Sequence, residues 1–66
     1  MASVAAKTAG SRLKVIDDVN TVEDVREALN LSSDYSAVVN GDSADSDQSL
    51  KEDDVVIFSQ KHKGAL

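Results

Sequence analysis

The chain has no cysteine and no tryptophan, and its aromatics are one Tyr and one Phe in 66 residues. Without cysteine there is neither a disulfide framework nor a thiolate zinc site to hold a small domain together. The core must then be assembled from Val, Ile, Leu and Ala, and a single domain of this length built that way is expected to retain only ~3–5 kcal/mol of net stability. So short a chain is poorly suited to enclosing a substrate pocket of the usual ~300–1,000 Å³, which points away from an autonomous enzyme. Basic residues are also scarce, with seven Lys and Arg against twelve Asp and Glu and a net charge of −5. That balance argues against a reader of nucleic-acid phosphates or an anionic membrane surface, and favours solubility or a partner with a basic patch. No apolar run approaches the ~20 residues needed to cross a bilayer. The first residues lack the continuous apolar segment of a signal peptide, so the expected location is cytoplasmic.

What is present reads as short alternating elements. Residues 1–7 suggest a first strand around Val4, closed by a turn in which Gly10 supplies positive φ. Leu13, Val15 and Val19, interleaved with Arg12, Lys14 and Asp17, predict a second strand with one buried face, pairing with the first as a hairpin. Residues 21–30 carry the clearest helical signal. Thr21 is placed to cap, with Asp24 returning the bond, and Glu23 and Asp24 occupy the first turn where the dipole favours acids. Val22, Val25, Ala28 and Leu29 define an apolar stripe, leaving Glu23, Arg26 and Glu27 on the expected wet side, and Asn30 ends the helix.

A third strand is expected from Tyr35 to the tight-turn pair Asn40-Gly41, and the small polar residues 42–49 predict a mobile surface loop. The unbroken Val55-Val56-Ile57-Phe58 predicts a final strand over residues 54–59, central in the sheet and buried on both faces. The order ββαββ is an α+β arrangement, in which a four-stranded mixed sheet grips one helix. The last strand would lie beside the first and parallel to it. Residues 1–60 form the expected domain and residues 61–66 a flexible C-terminal tail.

Thr21-Val22-Glu23-Asp24-Val25 through Leu29, the turn Val39-Asn40-Gly41, the loop residue Leu50 and the strand Asp54-Val55-Val56-Ile57 together resemble the ubiquitin-like β-grasp proteins. The likeness is to their sulfur-carrier branch, the ThiS and MoaD types of thiamine and molybdopterin biosynthesis. The resemblance implies a β-grasp fold and a partner that adenylates a C-terminal glycine carboxylate before sulfur transfer or conjugation. Two departures are visible. The family's Gly-Asp turn is Asp53-Asp54 here, and its terminal Gly-Gly is replaced by Lys63-Gly64-Ala65-Leu66. Ala65 and Leu66 add side chains where the family threads bare backbone, so carrier chemistry would require trimming to Gly64.

No residue set suggests catalysis. His62 stands between two lysines with no orienting partner, and Ser32, Ser33 and Ser36 have no histidine or nucleophile-elbow context. Asp42, Asp45 and Asp47 lack the alternation and central glycine of a calcium loop, so no metal and no cofactor is expected. The expectation is a non-catalytic monomer that binds a protein partner through its outward sheet face and tail, with Phe58, Gln60, Lys61, His62, Lys63 and Gly64 as contacts. Asp42, Asp45, Asp47, Glu52 and Asp53 are the expected acidic surface that tunes partner choice. One alternative is a sulfur carrier or modifier activated at Gly64 by an adenylating enzyme. Another is a small acidic inhibitor, of a kind phages encode, that mimics DNA towards a nucleic-acid-binding protein.

Overall fold

The computed structural model describes residues 2–60. Strand β1 (Ala2–Thr8) and strand β2 (Lys14–Val19) are followed by helix α1 (Val22–Ala28), then β3 (Tyr35–Val39), β4 (Asp42–Ala44) and β5 (Val55–Gln60). The five strands form one mixed sheet in the order β2-β1-β5-β3-β4. The result is a small α+β domain, compatible with a β-grasp arrangement, with five strands rather than the expected four. As the apolar run predicted, β5 is central; it pairs in parallel with β1 (Ala6 opposite Val56) and antiparallel with β3 (Val38 opposite Ile57).

The extra strand comes from the segment expected to be a mobile loop. Asn40 (φ +52°) and Gly41 (φ +93°) form a two-residue turn that suits the right-handed twist of a hairpin, and Asp42 lands opposite Val39. Once the turn is set, backbone pairing carries β4 for three residues without an apolar pattern of its own. Ser49 also makes an isolated bridge to Thr21, which ties the end of this segment to the helix start.

Strand β2 exposes the side expected to be buried. Between the pairs Ala2–Val19 and Val4–Ile16 the strand carries one extra residue, and Asp18 adopts φ +62° at this bulge. The bulge resets the alternation, so Ile16 and Val19 both turn inward although they are three apart. Val15 is 73% exposed and Leu13, just before the strand, 55%. Asp17 turns outward and accepts a hydrogen bond from Ser3 Oγ at 2.7 Å.

Helix α1 is capped at both ends. Thr21 (φ −134°) accepts from the Asp24 amide, and Asp24 Oδ2 accepts from the amides of Thr21 and Asn20 at 3.1 and 2.8 Å, which is the expected capping box. At the other end Asn30 takes φ +60°, its amide bonding Glu27 O and the Leu31 amide bonding Arg26 O, both at 3.0 Å. That pair of bonds is a Schellman stop. Of the expected apolar stripe, Val22 and Val25 are buried, Leu29 is half-buried and Ala28 is exposed.

The helix lies on one face of the sheet. Ala2, Val4 and Ala6 from β1, Val56 and Phe58 from β5, Ala37 and Val39 from β3, and Val19 meet Val22 and Val25 there. Leu50 closes this core from the loop before β5, its amide held by Asn20 O at 2.8 Å. Among the described residues no helix is long and apolar enough to cross a membrane.

Candidate functional site

Arg26 was expected to face water, and it is 7% exposed. Val22, Val25, Arg26 and Leu29 are spaced i, i+3, i+4 and i+7, so the arginine occupies a slot of the inward stripe. Its Nη1 donates to the carbonyls of Ser32 (2.9 Å) and Tyr35 (2.8 Å), and its Nη2 to Ser46 Oγ at 3.1 Å. Nε donates to Glu23 Oε1 at 3.1 Å, and the guanidinium lies over the Phe58 ring, 5.5 Å from its centroid. One planar cation thus joins the helix, the loop into β3, the segment after β4 and the core aromatic. The group is structural, and all its donors but one reach backbone or hydroxyl oxygens.

Phe58, an expected partner contact, is fully buried beneath this guanidinium. Its place on β5 decides this, because Phe58 alternates with Ile57 and shares the helix-facing side with Val56. It is a core residue and leaves the candidate site. Gln60 is exposed at the end of β5, opposite Tyr35. Lys61, His62, Lys63 and Gly64 lie outside the described residues.

The acidic candidates fall into two groups. Asp42, Asp45 and Asp47 are exposed around and after β4. Glu52 and Asp53 are exposed in the turn before β5 and fasten it to β1. Glu52 Oε1 accepts from the Ser3 amide at 3.0 Å, and the Asp53 amide donates to Ser3 O at 2.9 Å. Asp53 takes φ +70°, a conformation that glycine adopts most cheaply. No group of three or more His, Cys, Asp or Glu side chains is arranged to hold a metal ion among the described residues.

Two of the motif residues that carried the family resemblance touch each other. Asn40 Nδ2 donates to Asp54 Oδ1 at 2.9 Å while Asn40 Oδ1 accepts from the Val55 amide at 2.9 Å. Asp54 Oδ2 accepts from the Lys51 amide at 2.8 Å. The β3–β4 turn and the turn into β5 are thereby buckled together. The Lys51 amide and then the Asn40 side chain hold the Asp54 carboxyl below the usual carboxylate range, and the Asn20 and Thr21 amides do the same for Asp24. A carboxyl with a lowered folded-state pKa binds fewer protons folded than unfolded. Its stabilisation is therefore complete above about pH 4 and is lost as the pH falls through the folded-state value. Asp54→Asn is expected to make stability fall less steeply as the pH drops below about 4, and Asp24→Asn should do the same. Urea titrations across that range measure this, and an unchanged slope would mean that the buckle does not depend on ionisation.

The outward face of the sheet is where the remaining exposed apolar side chains gather. Val15, Ala5, Val55 with Ile57, and Val38 succeed one another across β2, β1, β5 and β3 through the pairs Ala5–Val15, Ala5–Val55 and Val38–Ile57. Ser43 of β4 continues the row opposite Val38. Ile57 is 36% exposed, and Ala5, Val38 and Val55 are half-buried. The last strand is thus covered on one face only, against the expectation of burial on both. Neighbouring strands are ~4.8 Å apart, so the five-strand row spans roughly 19 Å. Ser3, Lys7, Asp17, Ser36 and Ser59 share its side of the sheet by alternation and give the stripe a polar border.

No model of a known protein family matches the chain, and no curated protein is significantly similar to it. The fold and the site therefore rest on the chain's own geometry.

Proposed function

We propose that this protein is a ubiquitin-like β-grasp interaction module that performs no chemistry itself and binds a partner protein through the outward face of its sheet. One observation carries the reading. The central strand, the most apolar of the chain, turns Val55 and Ile57 away from the helix and leaves them uncovered beside Val15, Ala5 and Val38. A stripe of this size, of the order of 300 Å², suits a weak, reversible contact with an aliphatic ridge on the partner. The tail from Ser59 onward is part of the proposed contact and would enlarge it. Exposed Asp42, Asp45 and Asp47 favour a partner whose surface beside that ridge is basic.

Site-specific photo-crosslinking in the native cell tests this. A crosslinking side chain at Val15 or Ile57 is expected to trap a discrete protein adduct, whereas one at the exposed Asn20, just before the helix, traps none. Val15→Lys together with Ile57→Lys should abolish binding of the trapped protein while leaving the domain folded, because both side chains already touch water. Equal trapping from Asn20, or unaltered binding by the double variant, would overturn the assignment. A thiocarboxylate or isopeptide bond at Gly64, found by mass spectrometry of the protein from its native cells, would make it a sulfur carrier or modifier instead.

A further inference from the structure

The domain distributes its charge unevenly. Asp17, Asp18, Glu52, Asp53 and Asp54 gather where β1 begins, around the turn that is bonded to Ser3. Lys7, Arg12 and Lys14 lie at the opposite end, around the β1–β2 turn. The one ion pair among the described residues joins Arg26 to Glu23, so these three cations are not neutralised by a neighbouring carboxylate there. Arg12 and Lys14 line one cleft of about 220 Å³, together with Thr8, Ser11 and the half-buried Leu29 and Leu31, and Lys7, whose side chain alternates to the outward side of the sheet, borders it. Lys14 pairs with Ala6, which places it on the helix side of the sheet. Leu29 and Leu31 flank the Asn30 stop and form an apolar wall. Thr8 and Ser11 are bonded to one another across the turn, Ser11 Oγ donating to Thr8 O at 2.9 Å, and they keep that rim of the cleft in place.

A cleft with an aliphatic wall and a cationic rim fits neither a purely apolar ligand nor a compact anion. We propose that it is a second binding site, distinct from the sheet face, that takes an acidic peptide segment of a partner protein. One aliphatic side chain of the peptide rests on Leu29 and Leu31, and the carboxylates on either side of it face Arg12 and Lys14. Charge complementarity sets the choice of occupant. In a chain of net charge −5, a local group of uncompensated cations selects for an anion that also brings apolar contact, since long-range repulsion disfavours a polyanion held by charge alone. Arg12 suits a carboxylate through its planar fork, and Lys14 through a mobile point charge.

The experiment is a titration of the isotope-labelled protein, followed by amide NMR shifts, with the capped peptide Asp-Glu-Leu-Glu-Asp. Saturable shifts are expected at Thr8, at residues 11–14 and at Leu29 and Leu31, while the amides of Val55 and Ile57 stay still. Affinity should fall about tenfold in the Arg12→Glu/Lys14→Glu variant, and it should weaken as salt rises. A peptide with Gly for Leu should bind measurably more weakly. The proposal is overturned if these amides do not move, or if the glycine peptide binds equally well and charge alone accounts for the contact. It is likewise overturned if inorganic phosphate or a single-stranded oligonucleotide saturates the cleft more tightly. Shifts at the same amides that grow with protein concentration, without peptide, would assign the cleft to a second copy of the chain. Because the sheet-face amides are followed in the same spectra, failure of this site leaves the sheet-face reading separately testable.

Discussion

Phe58→Ala is expected to leave the domain largely unfolded at 25 °C. The ring is fully buried between the helix and the sheet, and truncating such a side chain to alanine typically costs about 3–5 kcal/mol. A domain of this size built on aliphatic packing has about that much in total. The other large side chains that are fully buried are all valines, each much smaller than the space the ring would leave. Phe58→Leu retains most of the volume and should stay folded with a lowered urea midpoint, which keeps the experiment informative where the alanine variant is too unstable to measure. Circular dichroism during urea titration decides. If Phe58→Ala kept near-native stability and lost only partner binding, the residue would be a contact after all, and the core described here would be wrong.

Arg26→Met should lower stability by about 2–3 kcal/mol, the second-largest effect expected from a single change. Methionine fills much of the same volume but leaves the Ser32 and Tyr35 carbonyls and the Ser46 hydroxyl without their donor. Orphaned polar groups near the core typically cost about 1–3 kcal/mol each, less where water can reach them. Arg26→Lys keeps the charge but cannot serve oxygens on several sides at once, so it should recover only part of the loss. Glu23 is half-exposed on the solvent side of the ion pair, and Glu23→Gln should change stability little. A double-variant cycle between Arg26→Met and Phe58→Leu is expected to show a coupling of about 0.5–1 kcal/mol from the stacked cation. If Arg26→Met were as stable as the parent, the polar junction would be dispensable.

Much of the architecture was readable from local chemistry. The capping pair Thr21 and Asp24, the Asn30 stop and the Asn40-Gly41 turn each have a short-range cause that the residues themselves display, whereas the central place of the last strand was read from its apolar run and Leu50 from the family resemblance. What escaped had causes beyond the local pattern. Strand β4 has no apolar alternation and exists because a neighbouring turn delivers its backbone to β3. The exposed side of β2 follows from a bulge at Asp18, and one extra residue inverts every later assignment of face. Arg26 was set aside as polar although its spacing put it inside the helical stripe; the missing consideration was that loop carbonyls around the helix end need a donor.

The candidate site divided in a similar way. On the suspected outward sheet face the exposed apolar side chains of the last strand are on its Val55/Ile57 side, and Phe58 belongs to the other side. A run of four apolar residues does not say which of its two sides will be covered, since that depends on how many helices the rest of the chain supplies. Among the described residues it supplies one. The expected acidic surface is exposed, yet Glu52 and Asp53 are also bonded to β1, so substitutions there will disturb the fold as well as any contact.

The parallel pairing of β1 with β5 has a consequence for how the molecule forms. The sheet's centre joins β1 to β5, so no chain that has yet to emerge past Gln60 can complete it, and the edge of β1 that pairs with β5 must wait. Closure then depends on a long loop, a pattern associated with slower folding than local helical pairing gives. In the cell this interval is when the chain is most open to chaperones and proteases.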